Sequence, residues 1–590
     1  MADSFVSRYR LTLLVFAVLL GFSAVSCRLV YLHILKQPEF AEVLAEARQR
    51  ERVIPARRGR IVDCRGNLMA FTRTLWEVGV DPVVARKASP EQKLRLGELL
   101  GLSPEALDAA FREEWVHGRV RRWSKLASRV DKDVYEAVMG LKVPGVYGNP
   151  DFTRTYPGES LGAHIIGFVN RQQVGVTGVE RIMDFYLRGQ SGYREYERDG
   201  QRRELAQYRN REIKPRDGLN VELTLDSYVQ HLAEEALGRA VEKYQPEGIT
   251  IIISEPATGY ILALANAPTF DPNRYNEYPV ATHRNRALTD IYEPGSTFKI
   301  VSASAALEEA VIQPDDRLNT GLTQVRYRGR TVKLPRDDHG SPQMSMREVV
   351  VQSSNRGAAY LGMMLGEERL YDYSRKFGFG ERTGLGLPGE VSGILHPVGR
   401  WDGLTITRLP MGHAISATPM QVHMSMSVLA NDGILMEPCV VRRIFDNGGK
   451  SLASFDPVAR RRVISAETSR EMTRMLVDVV SVKGTARRAR IEGFEVAGKT
   501  GTSQKIIDGQ YSSRAHIASF SGFFPARQPR VVMTVVVDEP KGRTIGYGGL
   551  VAAPIFREVG EQLIRYFGIE PAAGDSSLVA WKGGPLETSP

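Results

Sequence analysis

The sequence predicts an α+β fold, with a central antiparallel sheet flanked by helices, preceded by a separate module and one membrane-spanning segment. Three observations predict it. Strand-like stretches at 221–226, 248–256 and 259–268 precede a helical middle, and others at 494–502, 516–524 and 530–540 follow it. The chain has 590 residues, more than one hydrophobic core accommodates, so two or three domains are expected. Residues 11–27, LTLLVFAVLLGFSAVSC, carry no charge.

That apolar run resumes after Arg28 as LVYLHIL and ends at Leu35. About 20 apolar residues cross a bilayer, and Arg28 can snorkel to a head group. We read 11–35 as an uncleaved signal anchor behind a short cytoplasmic tail, 1–10. A cleaved signal peptide and a lipoprotein signal ending at Cys27 are the alternatives. Basic residues stand on both sides, Arg8 and Arg10 before and Lys36, Arg48, Arg50 and Arg52 after. Large domains translocate largely regardless of such counts, so orientation rests on the chemistry.

Residues 36–57 read as a charged helix, with Phe40, Val43, Leu44 and Ala47 at helical spacing. RGRIVDCRGNLMA, from Arg58, reads as strand–turn–strand with its turn near Arg65-Gly66-Asn67. Residues 90–145 are mixed and mostly helical, and 151–215 are rich in Gly, Arg and Tyr and irregular. Residues 36–215 thus form a first extracytoplasmic module, and 216–570 a second. In the second, Asp226 caps a helix running to about Tyr244, and Pro256-Ala257-Thr258-Gly259 turns between two apolar strands. Another helix opens near Ser296 and runs to about Ala310. Residues 571–590 form a loose tail.

With 78 basic and 68 acidic residues the formal charge is +10, which favours anionic surroundings. No zinc-finger cysteine pattern and no arginine-rich tail is present, so nucleic acid is not an expected partner. Cys27, Cys64 and Cys439 are too few and too scattered for a disulfide framework or a metal site. No metal and no cofactor is expected.

The chemistry lies in three short elements in one order: Ser296-Thr297-Phe298-Lys299, Ser353-Ser354-Asn355 and Lys499-Thr500-Gly501. Serine is a poor nucleophile without an adjacent base. Lys299, three residues along a helix, shares its face and can be that base when partly stripped of water. Pro294 and Gly295 place Ser296 at the helix start, where backbone N–H groups favour developing negative charge. Gly501 on an edge strand permits close approach of a substrate backbone. Lys499 supplies positive charge for a substrate carboxylate, which Thr500 and Thr502 hydroxyls can also hold. The N–H groups of Ser296 and Thr502 are the candidate oxyanion hole. Each element alone can be accidental: Lys299 as a solvated helix residue, S-x-N as a chance triplet, K-T-G as a rarer one. The ordered trio is far less easily produced by chance.

Around these elements the sequence closely resembles the class B penicillin-binding proteins, and most closely their septal, FtsI-type branch. RGRIVD (58–63), Arg154-Thr155-Tyr156-Pro157 and GVERIMDFYLRGQSG (178–192) resemble the pedestal motifs of that class. RNRALTDIYEPGSTFK (284–299), SSNRG (353–357), SGILHP (392–397), TRLPMGHAISATPMQ (407–421), AGKTGT (497–502) and GGLVAAPIF match the catalytic part. Two departures are Asp63-Cys64-Arg65-Gly66, where the family usually has Asp-Arg-Asn-Gly, and MGHAIS, where the septal branch more often has Gly-Tyr-Gly.

The resemblance implies a penicillin-binding transpeptidase fold, similar to the serine β-lactamases, on an elongated pedestal of the dimerisation type. It implies that Ser296 is acylated by stem peptides ending in D-Ala-D-Ala, with Lys299 as general base. Ser353 and Asn355 would relay protons and position the substrate amide, and Lys499, Thr500 and Thr502 would hold the terminal carboxylate. β-Lactams would be covalent inhibitors. The protein would sit in the bacterial inner membrane as a single-pass protein with its catalytic domain outside the cytoplasm, at the division septum. A membrane-embedded, SEDS-type glycosyltransferase and other division proteins would be its partners. No Glu-Asp-x-x-Phe glycosyltransferase element precedes Ser296, and no Glu-x-x-Leu-Asn element lies between S-x-N and K-T-G. A monofunctional transpeptidase that does not hydrolyse β-lactams rapidly is expected. A D,D-carboxypeptidase, a side-wall transpeptidase, and a non-catalytic scaffold or β-lactam sensor remain the alternatives.

Overall fold

Two β-branched runs, Ile249–Ile253 and Val531–Val537, are buried along their whole length, as expected for strands covered on both faces. In the computed structural model they are two of the three inner strands of a five-stranded sheet. The structure describes residues 8–37, 49–116, 119–198, 204–337, 341–482, 484–507, 509–542 and 546–571. The sheet comprises β1 (Gly248–Ser254), β2 (Ile261–Ala267), β3 (Ala497–Ile507), β4 (Gln510–Phe524) and β5 (Val531–Asp538), in the order β2-β1-β5-β4-β3, all antiparallel. The expected α+β class is therefore observed. K-T-G lies on β3, the edge strand.

Helices cover both faces. They are α1 (Ser227–Tyr244), α2 (Lys299–Glu308), α3 (Asn355–Leu365), α4 (Pro419–Ala430), α5 (Ala466–Val480) and α6 (Gly548–Phe567). Phe556 of α6 packs edge-on against Phe520 and Phe524 of β4. His423 of α4 bonds Thr534 of β5, whose hydroxyl meets Ser521 of β4. Side chains alternate along a strand, so α6 and α4 lie on opposite faces. Asp226 caps α1 through the N–H groups of Tyr228 and Val229, as its position suggested.

The chain divides into two compact units, residues 1–57 with 189–218, and residues 58–188 with 219–590. In the second unit, Leu68–Val80 pairs with Ser124–Val130 and Val146–Thr155, and Ile61–Val62 runs parallel to Val221–Glu222. Residues 58–188 thus share a core with the catalytic part: Ile61, Tyr156, Ile165 and Phe168 belong to the same cluster as Val221 and Ile251. The turn after Val62 is tied down by Asp63, whose carboxylate accepts the N–H groups of Arg65, Asn67 and Ser227. Behind it the wholly buried Glu180 takes one guanidinium on each oxygen, Arg58 and Arg154, both at 2.7 Å. These residues are internal staples, not an exposed charged face.

In the first unit, Gln49–Ile54, Gly192–Arg198 and Glu204–Ile213 form a three-stranded antiparallel sheet. This corrects two expectations. The helix read over 36–57 is a strand from Gln49 to Ile54, and 38–48 lie outside the described residues. The supposedly irregular stretch 151–215 contains two of these strands. Polar, unalternating sequences such as YREYER give no period-2 signal, and neighbouring strands supply the pairing. Tyr9–Leu35 is an apolar helix of 27 residues, about 40 Å long, enough to cross a bilayer.

Candidate active site

The nucleophile turn is built on two glycines and a proline. Gly295 has φ of +55°, and a Cβ there would lie 2.9 Å from the carbonyl oxygen of Thr502. Its N–H donates to Gly412 at 3.1 Å. The turn Gly295–Phe298 is 3₁₀, and the Lys299 N–H closes it on the Ser296 carbonyl, which places the two residues one turn apart. Phe298, wholly buried against Phe379 at 5.0 Å, anchors the turn. Ser296 stays half-exposed and Lys299 is buried at the head of α2.

The second element approaches from α3. Ser353 has a left-handed backbone, φ +61°, unusual for a residue with a Cβ and a local strain. Its hydroxyl lies 3.1 Å from Lys299 Nζ and 2.9 Å from Lys499 Nζ. Lys299 also donates to Asn355 Oδ1 at 2.7 Å and to the Ser353 carbonyl. Lys499, on β3, is wholly buried, and burial pulls its ammonium down to about 7. The two amino groups thus meet on one hydroxyl, which disfavours both carrying charge at once.

The rest of β3 closes the site. A Cβ at Gly501 would meet Ser519 Oγ at 2.4 Å and the Pro294 carbonyl at 2.9 Å, so glycine lets the strand press on the nucleophile turn. Thr500 Oγ1 lies 3.3 Å from Thr485 Oγ1. Thr502 Oγ1 accepts the Gly548 N–H at 3.1 Å, leaving its proton for a ligand. All eight residues singled out in the sequence thus lie on three elements, the nucleophile turn with α2, the start of α3, and β3.

Sequence reasoning missed Asp337. Its carboxylate accepts Ser354 Oγ at 2.7 Å and the N–H groups of Asn355 at 2.5 Å and Arg356 at 3.1 Å. It holds the strained Ser353 turn from outside α3. No local spacing signals it, since its partners lie 17 to 19 residues further along the chain. The MGHAIS departure brings His413 Nε2 to 3.9 Å from Glu293, whose carboxylate accepts the hydroxyl of Tyr511 at 3.1 Å. Burial, and then the charges of Lys299 and Arg408, lower the His413 imidazole to about 4, so it is neutral.

Residues 249–561 match the penicillin binding protein transpeptidase domain, and 53–223 the penicillin-binding protein dimerisation domain. The chain belongs to the penicillin-binding proteins. It is a class B member of the division type. It is 33% identical to stage V sporulation protein D of Bacillus subtilis over 95% of this chain and 86% of that protein. It is 31% identical to the probable peptidoglycan D,D-transpeptidase PenA of Neisseria meningitidis, over 96% and 94%, and 29% identical to peptidoglycan D,D-transpeptidase FtsI of Escherichia coli, over 96% and 93%. Among solved structures, penicillin-binding protein 3 of Mycobacterium tuberculosis with aztreonam is 28% identical, with TM-score 0.68 over 88% of this chain and 98% of that one. A peptidoglycan synthetase of Bifidobacterium adolescentis is 25% identical, with TM-score 0.72 over 89% and 98%. With one helix among the described residues apolar and long enough to cross a bilayer, at the N-terminus, this penicillin-binding protein has a single-pass membrane anchor.

Proposed function

We propose that this protein is a peptidoglycan D,D-transpeptidase working through an acyl-enzyme on Ser296 during cell division. The observation that carries the reading is the Ser353 hydroxyl shared by Lys299 and Lys499 beside the nucleophile turn. Lys299 takes the proton of Ser296 Oγ, and the oxygen attacks the penultimate D-Ala carbonyl of a stem peptide. The N–H groups of Ser296 and Thr502 receive the oxyanion. The C–N bond breaks, and the leaving D-Ala amine takes its proton from Lys299 through Ser353, with Asn355 orienting the scissile amide. Lys499, Thr500 and Thr502 hold the terminal carboxylate, and Gly501 admits the peptide backbone. An acceptor amine then attacks the ester carbonyl, the C–Oγ bond breaks, and Ser296 recovers a proton. A β-lactam enters by the same first step and leaves a stable acyl-enzyme.

Labelling membranes with fluorescent penicillin tests the reading. Wild type should label at 1:1 stoichiometry, and Ser296→Ala, still folded, should not. Labelling of the alanine variant would remove Ser296 as nucleophile.

We also propose a division of labour, with residues 36–215 as the pedestal and 216–570 as the catalytic domain. Septal action and contact with a membrane-embedded SEDS-type glycosyltransferase rest on the family likeness. A fluorescent fusion should gather at midcell, and co-purification should recover the glycosyltransferase. An even side-wall distribution would favour the elongation role instead.

A further inference from the structure

A concave pocket of about 580 Å³ lies away from the catalytic elements, between the end of α1, Val482 with the loop 484–490, and the middle of α6. Lys243, Arg487, Arg488, Arg490 and Arg557 line it, with only Glu558 and Glu561 as carboxylates. Those two acids are already engaged. Glu558 takes Arg239 at 2.5 Å and Glu561 takes Arg557 at 2.7 Å. Lys243 lies over the Tyr244 ring, and no carboxylate pairs with Arg487, Arg488 or Arg490 among the described residues.

Three neighbouring guanidiniums without counter-charges repel one another and lower stability unless an anion sits between them. Arg487 to Ala489 form a short 3₁₀ turn with Ala489 wholly buried, which anchors the segment carrying the three arginines and stacks Arg487 and Arg490, three residues apart, on one side of it. The planar guanidinium fork matches two phosphate oxygens at once, which a lysine ammonium does not. Tyr244, Val482 and Pro554 add apolar lining for the carbon skeleton between phosphates. The volume falls within the range of small-ligand sites.

We propose that this pocket binds a polyol-phosphate chain, a soluble phosphodiester polyanion whose successive phosphates pair with Arg487, Arg488 and Arg490. A concave pocket suits a flexible chain better than the flat surface of a bilayer. The same loop carries Thr485, which meets Thr500 of the catalytic strand, so an occupant would sit on an element that touches the active site.

The test uses the full chain in nanodiscs of neutral phosphatidylcholine at low salt, with calorimetry of a glycerol-phosphate hexamer. Wild type should bind it, and affinity should fall as salt rises. Arg487→Gln/Arg488→Gln/Arg490→Gln should lose at least tenfold in affinity while fluorescent penicillin acylates it within about twofold of the wild-type rate. Inorganic phosphate alone should bind far more weakly than the hexamer. Equal hexamer affinity in wild type and triple variant, or no binding by wild type, overturns the proposal. So does a short-chain, monomeric phosphatidylglycerol that binds the pocket more tightly than the hexamer, which would make the ligand a lipid head group. Penicillin acylation of the wild type reads the catalytic reading separately.

Discussion

Lys499 Nζ lies 2.9 Å from the hydroxyl of Ser353. Because Lys499 is wholly buried, its ammonium is held near 7 instead of its ordinary 10.5. It is therefore charged below about pH 7 and neutral above, in the free enzyme. An arriving carboxylate restores the charge by pairing with it.

This sets a pH dependence. Capture of a carboxylate-bearing penicillin, read as the second-order acylation constant, should fall as pH rises through about 7. Lys499→Arg, always charged, should lack that limb between pH 6 and 9, at a lower plateau. An alkaline limb unchanged in the arginine variant would assign it to another group.

The two lysines should fail differently. Lys299→Ala removes the base and should reduce acylation by any substrate, by roughly 10²–10⁴-fold. Lys499→Ala should cost most with substrates that carry the carboxylate. Stopped-flow acylation with a penicillin and with its methyl ester separates them. Equal losses by both variants with both compounds would end this division of roles.

Asp337 is a positioning residue. Asp337→Asn replaces charge-assisted hydrogen bonds that together hold the strained turn at Ser353, each worth about 1.5–3 kcal/mol. Acylation should slow by about 10–100-fold, more than any fall in melting temperature accounts for, while the noncovalent dissociation constant for penicillin moves little. A loss of activity that merely tracks lost melting temperature would reduce Asp337 to a structural role.

Glu180 carries two buried guanidiniums, so Glu180→Gln should leave them undercompensated. The expected cost is about 3–5 kcal/mol, measured by chemical denaturation. Penicillin acylation of the fraction that remains folded should be normal. A cost below about 1 kcal/mol would mean that water or a neighbouring acid replaces the carboxylate.

A chain starting at residue 216 should unfold at lower temperature than the whole protein. It loses Ile61, Tyr156, Ile165 and Phe168 from the shared core, and the strand beside Val221. Differential scanning calorimetry reads this directly. An unchanged transition would show that the shared core adds no stability to the catalytic part.

Much of this protein was legible in order along the chain. The β-branched runs at 249–253 and 531–537, the apolar stretch from Leu11 to Leu35, and the trio Ser296-Lys299, Ser353-Asn355 and Lys499-Gly501 are local patterns. Their meaning comes from residue type and short spacing, which sequence records. Only the tertiary structure decided what depends on distant groups. The convergence of Lys299 and Lys499 on one hydroxyl spans 146 residues between Ser353 and Lys499. The support from Asp337, the burial of Arg58, Arg154 and Glu180, and the strands hidden in polar sequence at Gln49–Ile54 and Gly192–Arg198 are likewise set by partners. Desolvation and strand pairing are properties of what surrounds a residue, and no spacing within the chain encodes them.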